Sequence, residues 1–128
     1  MILIAIIIGC LIGALIGMYA PMVSYTYSGY LAIAIIAALD SVFGGIVATL
    51  KKNFNLTIFI TGFFGNAILA ILLTILGQKL NVDIDLAAIV VFVGRMFTNL
   101  AIIRRYYLDI VMKKIEEKRE KTNKNIAG

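Results

Sequence analysis

Residues 56–77 read LTIFITGFFGNAILAILLTILG, twenty-two residues without a single charge. A helix needs about 20 apolar residues to cross the hydrocarbon core of a bilayer. A helix at the surface of a soluble domain would show a polar face every turn, and this run shows none. Nor does polarity alternate along it, as it would in a membrane β-barrel strand. The stretch therefore reads as a membrane-spanning helix.

The same pattern recurs on both sides. Residues 2–20 form an apolar run, residues 30–50 another with Asp40 inside it, and residues 86–103 a third with Arg95 inside it. Breakers separate them: Pro21, Ser24, Ser28 and Gly29, then Lys51, Lys52, Asn53 and Asn55, then the segment GQKLNVD at 77–83. The expected fold is all-α, an integral membrane protein of four spans at about 2–20, 30–50, 56–77 and 86–103. Residues 1–103 form the transmembrane domain, and residues 104–128 a basic, amphipathic cytoplasmic tail.

Composition agrees. Hydrophobic residues make up 62% of the 128-residue chain and charged residues 15%, against about 45–50% and about 25% in soluble domains. That balance excludes a small soluble globule and, equally, a disordered chain. There is no His, and Cys10 is the lone cysteine. No phosphate-binding glycine loop, nucleophile elbow, HExxH or dinucleotide fingerprint is present. The chain is expected to be no enzyme, with no metal and no cofactor. Cys10 reads as a small apolar filler. The first run lacks the basic flank of a signal peptide, and Pro21 follows the one plausible cleavage point at Ala20. It reads as a retained anchor.

Basic residues set the expected orientation. The first connection has no charge, the second carries Lys51 and Lys52, and the third sets Lys79 against Asp83 and Asp85. After the fourth run come Arg104 and Arg105, then six further basic residues. By the positive-inside rule both termini and the Lys51 connection are cytoplasmic. From residue 104 onward there are eight basic and four acidic residues, so the net charge of +5 is mostly tail. Nucleic acid is not implied. Membrane lipids are the expected partners, with Lys51, Lys52, Arg104 and Arg105 meeting headgroups or a protein. In the tail, Leu108, Val111, Met112 and Ile115 form a narrow apolar stripe. Asp109, Lys113, Glu117 and Lys121 form an opposite-charge ladder. The tail is expected to continue the fourth helix to about Lys121 and to fray over 122–128.

The polar residues inside the spans are the candidate site. Asp40 and Arg95 fall at similar depth in spans running the same way, Asn66 lands near the middle of the opposite span, and Thr98 and Asn99 follow one turn after Arg95. A lone charge there costs about 2.5–3.5 kcal/mol. We therefore expect Asp40 to meet Arg95, with Asn66 or Asn99 filling the remaining hydrogen-bonding capacity. Such a pair either fixes helix packing and register, or binds and moves an ion or solute. Leu31 and Ala32 precede Asp40 by the same intervals as Leu86 and Ala87 precede Arg95, a short parallel between spans two and four.

Small residues mark close-packing faces. Ala5, Gly9, Gly13 and Gly17 repeat every four residues in the first span, a face suited to another helix and to a homo-oligomer. Tyr19, Tyr25, Tyr27 and Tyr30 at one boundary, with Tyr106 and Tyr107 at the other, read as an aromatic belt.

Three stretches carry a family resemblance: AALDSVFGG at 37–45, FITGFFGNA at 59–67 and LAAIVVFVGRMFTNLAIIRR at 86–105. Over residues 1–108 the chain resembles the small basic protein family of Gram-positive bacteria. Asp40, Asn66, Arg95 and Asn99 all fall inside those blocks. The resemblance implies a short integral membrane protein commonly encoded near cell-division and cell-wall genes, close to the division tubulin. The chain differs from that pattern in a purely basic connection at 51–55 and in a longer charged tail. The function expected is helix–helix contact in division or envelope assembly, with division or cell-wall membrane proteins as partners. The other reading is a subunit of a small ion or solute transporter or channel.

Overall fold

The computed structural model describes residues 1–22 and 24–128. It is all-helical, with α1 over Ile2–Tyr19, α2 over Tyr25–Leu50, α3 over Leu56–Leu80 and α4 over Ile84–Ala127. Among the described residues, three helices, α2, α3 and α4, are long and apolar enough to cross a membrane. The first expected span appears as α1, an apolar helix of 18 residues.

Helix α2 starts at Tyr25, five residues before the apolar run does. Ser28 does not break it, because its hydroxyl folds back and donates to the Tyr25 carbonyl at 3.0 Å. Serine is tolerated in a helix when its side chain takes up that local bond. Helix α4 is one rod of 44 residues. It continues through Ala127 instead of ending near Lys121, with no proline or glycine between Arg95 and Gly128 to stop it.

Helices α2 and α3 form an antiparallel hairpin: Tyr30 donates its hydroxyl to Gln78 Oε1 at one end, and Gly45 faces Phe59 near the other. Helices α2 and α4 run parallel, since Asp40 meets Arg95 and Gly44 lies beside Asn99. Among the described residues, the backbone of α1 approaches α2 alone.

Both hairpin turns are fixed by left-handed residues. At the end of α2, Lys52 has φ 58°, its N–H bonds to Thr49 O, and the Asn53 N–H reaches back to Ala48 O. This is the Schellman arrangement, which satisfies carbonyls that the helix end would leave free. Asn55 then opens α3, its side chain accepting from the Ile58 N–H at 3.2 Å. Asn81 repeats the left-handed turn after α3 with φ 54°, and the Val82 N–H bonds to Gly77 O.

The packed core is small. Ile33 and Ala37 of α2, Ala70 of α3 and Phe92 of α4 are buried together, flanked by Ile36, Ala88 and Ile89. All lie between the level of Asp40 and the α3–α4 turn. Elsewhere the large apolar side chains point outward along α1, α2, α3 and the first half of α4. A soluble monomer does not expose so much contiguous apolar surface. In a bilayer those side chains face lipid, and the protein is accordingly membrane-associated.

Candidate functional site: an ion pair beside an open cleft

Asp40 sits midway along α2, one turn past the buried Ala37, and is only 1% exposed. Arg95 sits on the facing turn of α4. Its Nη2 lies 3.5 Å from Asp40 Oδ2. A tight charge-assisted hydrogen bond would be about 2.7–2.9 Å, so the two groups attract without being locked together. Neither carboxylate oxygen of Asp40 receives a hydrogen bond. The Arg95 side chain, by contrast, is 59% exposed. One partner is sealed in the bundle and the other is largely uncovered.

Asn66 does not fill the vacant capacity of Asp40. Its Nδ2 donates to Ser41 Oγ at 3.2 Å, and the Ser41 hydroxyl donates to the Ala37 carbonyl at 3.3 Å. The amide thus ties α3 to α2 through a serine. Ser41 follows Asp40 directly in the chain, and it is this hydroxyl, not the carboxylate, that the Asn66 amide reaches. Asn99 lies one turn beyond Arg95, with its Nδ2 3.9 Å from where a Cβ on Gly44 would stand. It takes no part in the Ser41 link. Thr98 turns its hydroxyl to the Gly94 carbonyl.

From this cluster a cleft of about 190 Å³ runs along α2 and α3 toward their connecting turn. Asp40, Ser41, Asn66 and Arg95 line one end of it, and Asn53 and Asn55 the other. Gly44, Gly45 and Gly62 line its length, and at Gly44 and Gly62 the missing side chains leave room. The helices stay close on the turn side because Gly45 admits the Phe59 ring: a Cβ at Gly45 would stand 2.9 Å from it. Ordinary carbon contacts are about 3.5–4.0 Å.

The remaining candidate residues lie apart from this site. Gly9, Gly13 and Gly17 are exposed on α1, and a Cβ on any of them would meet nothing within 4 Å. Gly9 borders a hollow shared with α2 and α3, and no described residue packs against the positions where the three side chains would stand. Lys51, Arg104 and Arg105 come together at a separate hollow between the end of α2 and α4, which Lys52 does not line.

A family model described as a protein of unknown function (DUF1290) matches residues 23–108. The chain belongs to this family. Asp40, Ser41, Asn66, Arg95 and Asn99 all lie within the matched segment, as do the two turns. The chain is similar to the small basic protein of Bacillus subtilis (strain 168), 50% identical over 82 residues, covering 64% of this chain and 68% of that one. It is also similar to uncharacterized proteins of Mycobacterium bovis and Mycobacterium tuberculosis, each 40% identical over 90 residues, covering 69% of this chain and 74% of theirs. No solved structure matches the chain. The family segment ends at residue 108, so the last 19 residues of α4 lie outside it.

Proposed function

We propose that the protein is a non-enzymatic, multi-pass plasma-membrane protein that acts by helix–helix contact, in bacterial cell division or envelope assembly. Both termini are cytoplasmic in this reading, and α1 is a fourth span. The observation that carries it is the half-covered arginine. Arg95 lies at the middle of the bundle with its side chain 59% exposed. An uncovered guanidinium at that depth is costly, so membrane proteins keep such groups against other helices or water. A helix from another chain laid over Arg95 removes that cost and uses its free donors. The open glycine face of α1 supplies a second surface for close approach, to a second copy or a partner. The division setting is supported by the resemblance to a family encoded beside division genes, which is association and not chemistry.

In-membrane crosslinking followed by mass spectrometry tests this reading, comparing wild type with Gly13→Leu and with Arg95→Gln. A Cβ at position 13 meets nothing inside the chain, so Gly13→Leu should change contacts with other chains and leave the fold intact. Capture of division or wall-synthesis proteins by wild type, lost in Gly13→Leu, or lost in Arg95→Gln per molecule that still accumulates in the membrane, supports the reading. Capture unchanged in both variants sinks it.

A specific observation favours the transporter or channel reading as the alternative. The cleft leads from Asp40 and Arg95 to Asn53 and Asn55 at one end of the bundle. Water entering there would hydrate the pair. With Cys10 changed to Ala, cysteines at Ser41 and Gly62 should react with a charged, membrane-impermeant thiol reagent if the cleft is wet. Protection of both cysteines in native membranes would favour the dry, contact-making bundle.

A further inference from the structure

A second cavity lies where the apolar part of α4 ends. It occupies about 630 Å³ between the C-terminus of α2 and α4. Lys51, Arg104 and Arg105 line it, with Tyr106 and Asp109. On the span side its wall is apolar, formed by Leu50 and Ile102 among others. We propose that this hollow binds the phosphate headgroup of an anionic phospholipid, with the first carbons of its acyl chains against the apolar wall.

The three cations are free to take it. Among the described residues the one ion pair is Arg95 with Asp40. Asp109 shares the hollow but stands in no ion pair with its basic neighbours. The hollow therefore holds a local excess of positive charge. Two adjacent guanidinium groups and an ammonium offer many donors to the oxygens of one phosphate, and arginine suits their geometry. The two-sided lining decides the source of that phosphate. A free phosphate ion needs only the basic side, whereas a phospholipid uses both. Basic pockets between membrane helices at the cytoplasmic boundary are suited to such headgroups, and Tyr106 is of the type that settles at that boundary. The inference rests on α2 and α4 lying in a membrane, and it holds whether or not the contact role does.

The test uses the full chain, extracted from membranes in a non-ionic detergent and stripped of lipid. Extraction with the membrane fraction is the check on membrane placement, and it is read separately. Short-chain phosphatidylglycerol, phosphatidylcholine and inorganic phosphate are titrated in turn, with binding read by native mass spectrometry and by the shift in unfolding midpoint. Phosphatidylglycerol should bind at least about 10-fold more tightly than phosphatidylcholine. The variant Lys51→Gln/Arg104→Gln/Arg105→Gln should bind it roughly 100-fold more weakly, from about 1 kcal/mol for each basic residue at the surface. Lys118→Gln/Lys121→Gln/Lys124→Gln removes the same charge from the tail and should stay within about 3-fold of wild type. Equal weakening in the two triple variants would mean diffuse attraction and would overturn the site. So would equal binding of phosphatidylcholine, or displacement of the lipid by millimolar inorganic phosphate. If the first triple variant does not fold, Arg105→Gln alone replaces it, and the wild-type comparisons of the two lipids and phosphate still decide.

Discussion

The carboxylate of Asp40 and the guanidinium of Arg95 meet across two parallel helices at 3.5 Å, one sealed in the bundle and the other mostly open. That asymmetry governs how the pair responds to mutation. Removing Arg95 leaves a buried carboxylate with no hydrogen bond and no counter-charge, and stranding a buried charged group costs about 3 kcal/mol. Arg95→Gln should therefore lower accumulation of the protein in membranes severely. Asp40→Asn leaves an arginine that can still reach outward, and should cost less, about 1–3 kcal/mol. The double variant Asp40→Asn/Arg95→Gln should be milder than Arg95→Gln alone. Exchanging the two charges is a poorer test, because an arginine at the sealed position would have to fit where an aspartate is 1% exposed. If Arg95→Gln accumulates as well as wild type, the attraction contributes nothing to folding.

Gly77 is where the α3–α4 turn leaves no room. A Cβ there would stand 2.6 Å from the Val82 carbonyl oxygen and 3.1 Å from Ile84 Cβ. The Val82 oxygen is backbone and cannot swing aside, so Gly77→Ala should open the turn at a cost of roughly 1–3 kcal/mol. Gly9→Ala, which meets nothing, is the control and should unfold at or slightly above the wild-type midpoint in detergent, since alanine favours the helix. Equal midpoints for the two variants would mean that the turn relaxes freely.

Helix number and approximate limits were readable because apolar runs of about 20 residues have few alternatives in a bilayer. The meeting of Asp40 with Arg95 was readable for a related reason: two charges at one depth, in spans of one direction, have few other partners. The start of α2 was misplaced by five residues because Ser28 and Gly29 look like breakers when their local hydrogen bonds are not known. The Asn66–Ser41 link was missed because matching an amide to a charge ignores the nearer hydroxyl. The cleft was not legible at all. It comes from glycines on two helices falling opposite each other, which depends on how the helices are rotated.

Lys52 holds a left-handed conformation, φ 58°, that β-carbon-bearing residues occupy at a cost of roughly 1–2 kcal/mol. Lys52→Gly should raise the unfolding midpoint by the equivalent of about 0.5–1 kcal/mol, part of the relief being offset by glycine's freedom when unfolded. Lys52→Ala removes the same charge and keeps the strain, so it should give no gain. Asn81, at φ 54°, already suits that region, and Asn81→Gly should gain only a few tenths of a kcal/mol. A gain with Lys52→Ala equal to that with glycine would trace the effect to charge.

Gly45 and Phe59 set how closely α2 and α3 approach on the turn side of the cleft. A Cβ on Gly45 would come within 2.9 Å of two atoms of the Phe59 ring. The ring is itself held between Phe54, with centroids 5.6 Å apart, and Phe63, at 6.1 Å. It cannot move without disturbing that row, so Gly45→Ala should cost about 1–3 kcal/mol. Phe59→Ala takes away the atoms that would clash and should cost packing of its own. Combined with it, Gly45→Ala should become cheaper, giving a coupling of about 0.5–3 kcal/mol between the two positions. The measurement is a double-mutant cycle on unfolding in detergent. Strict additivity would mean that the helices part to admit the methyl group, and that the width of the cleft is not set by this contact.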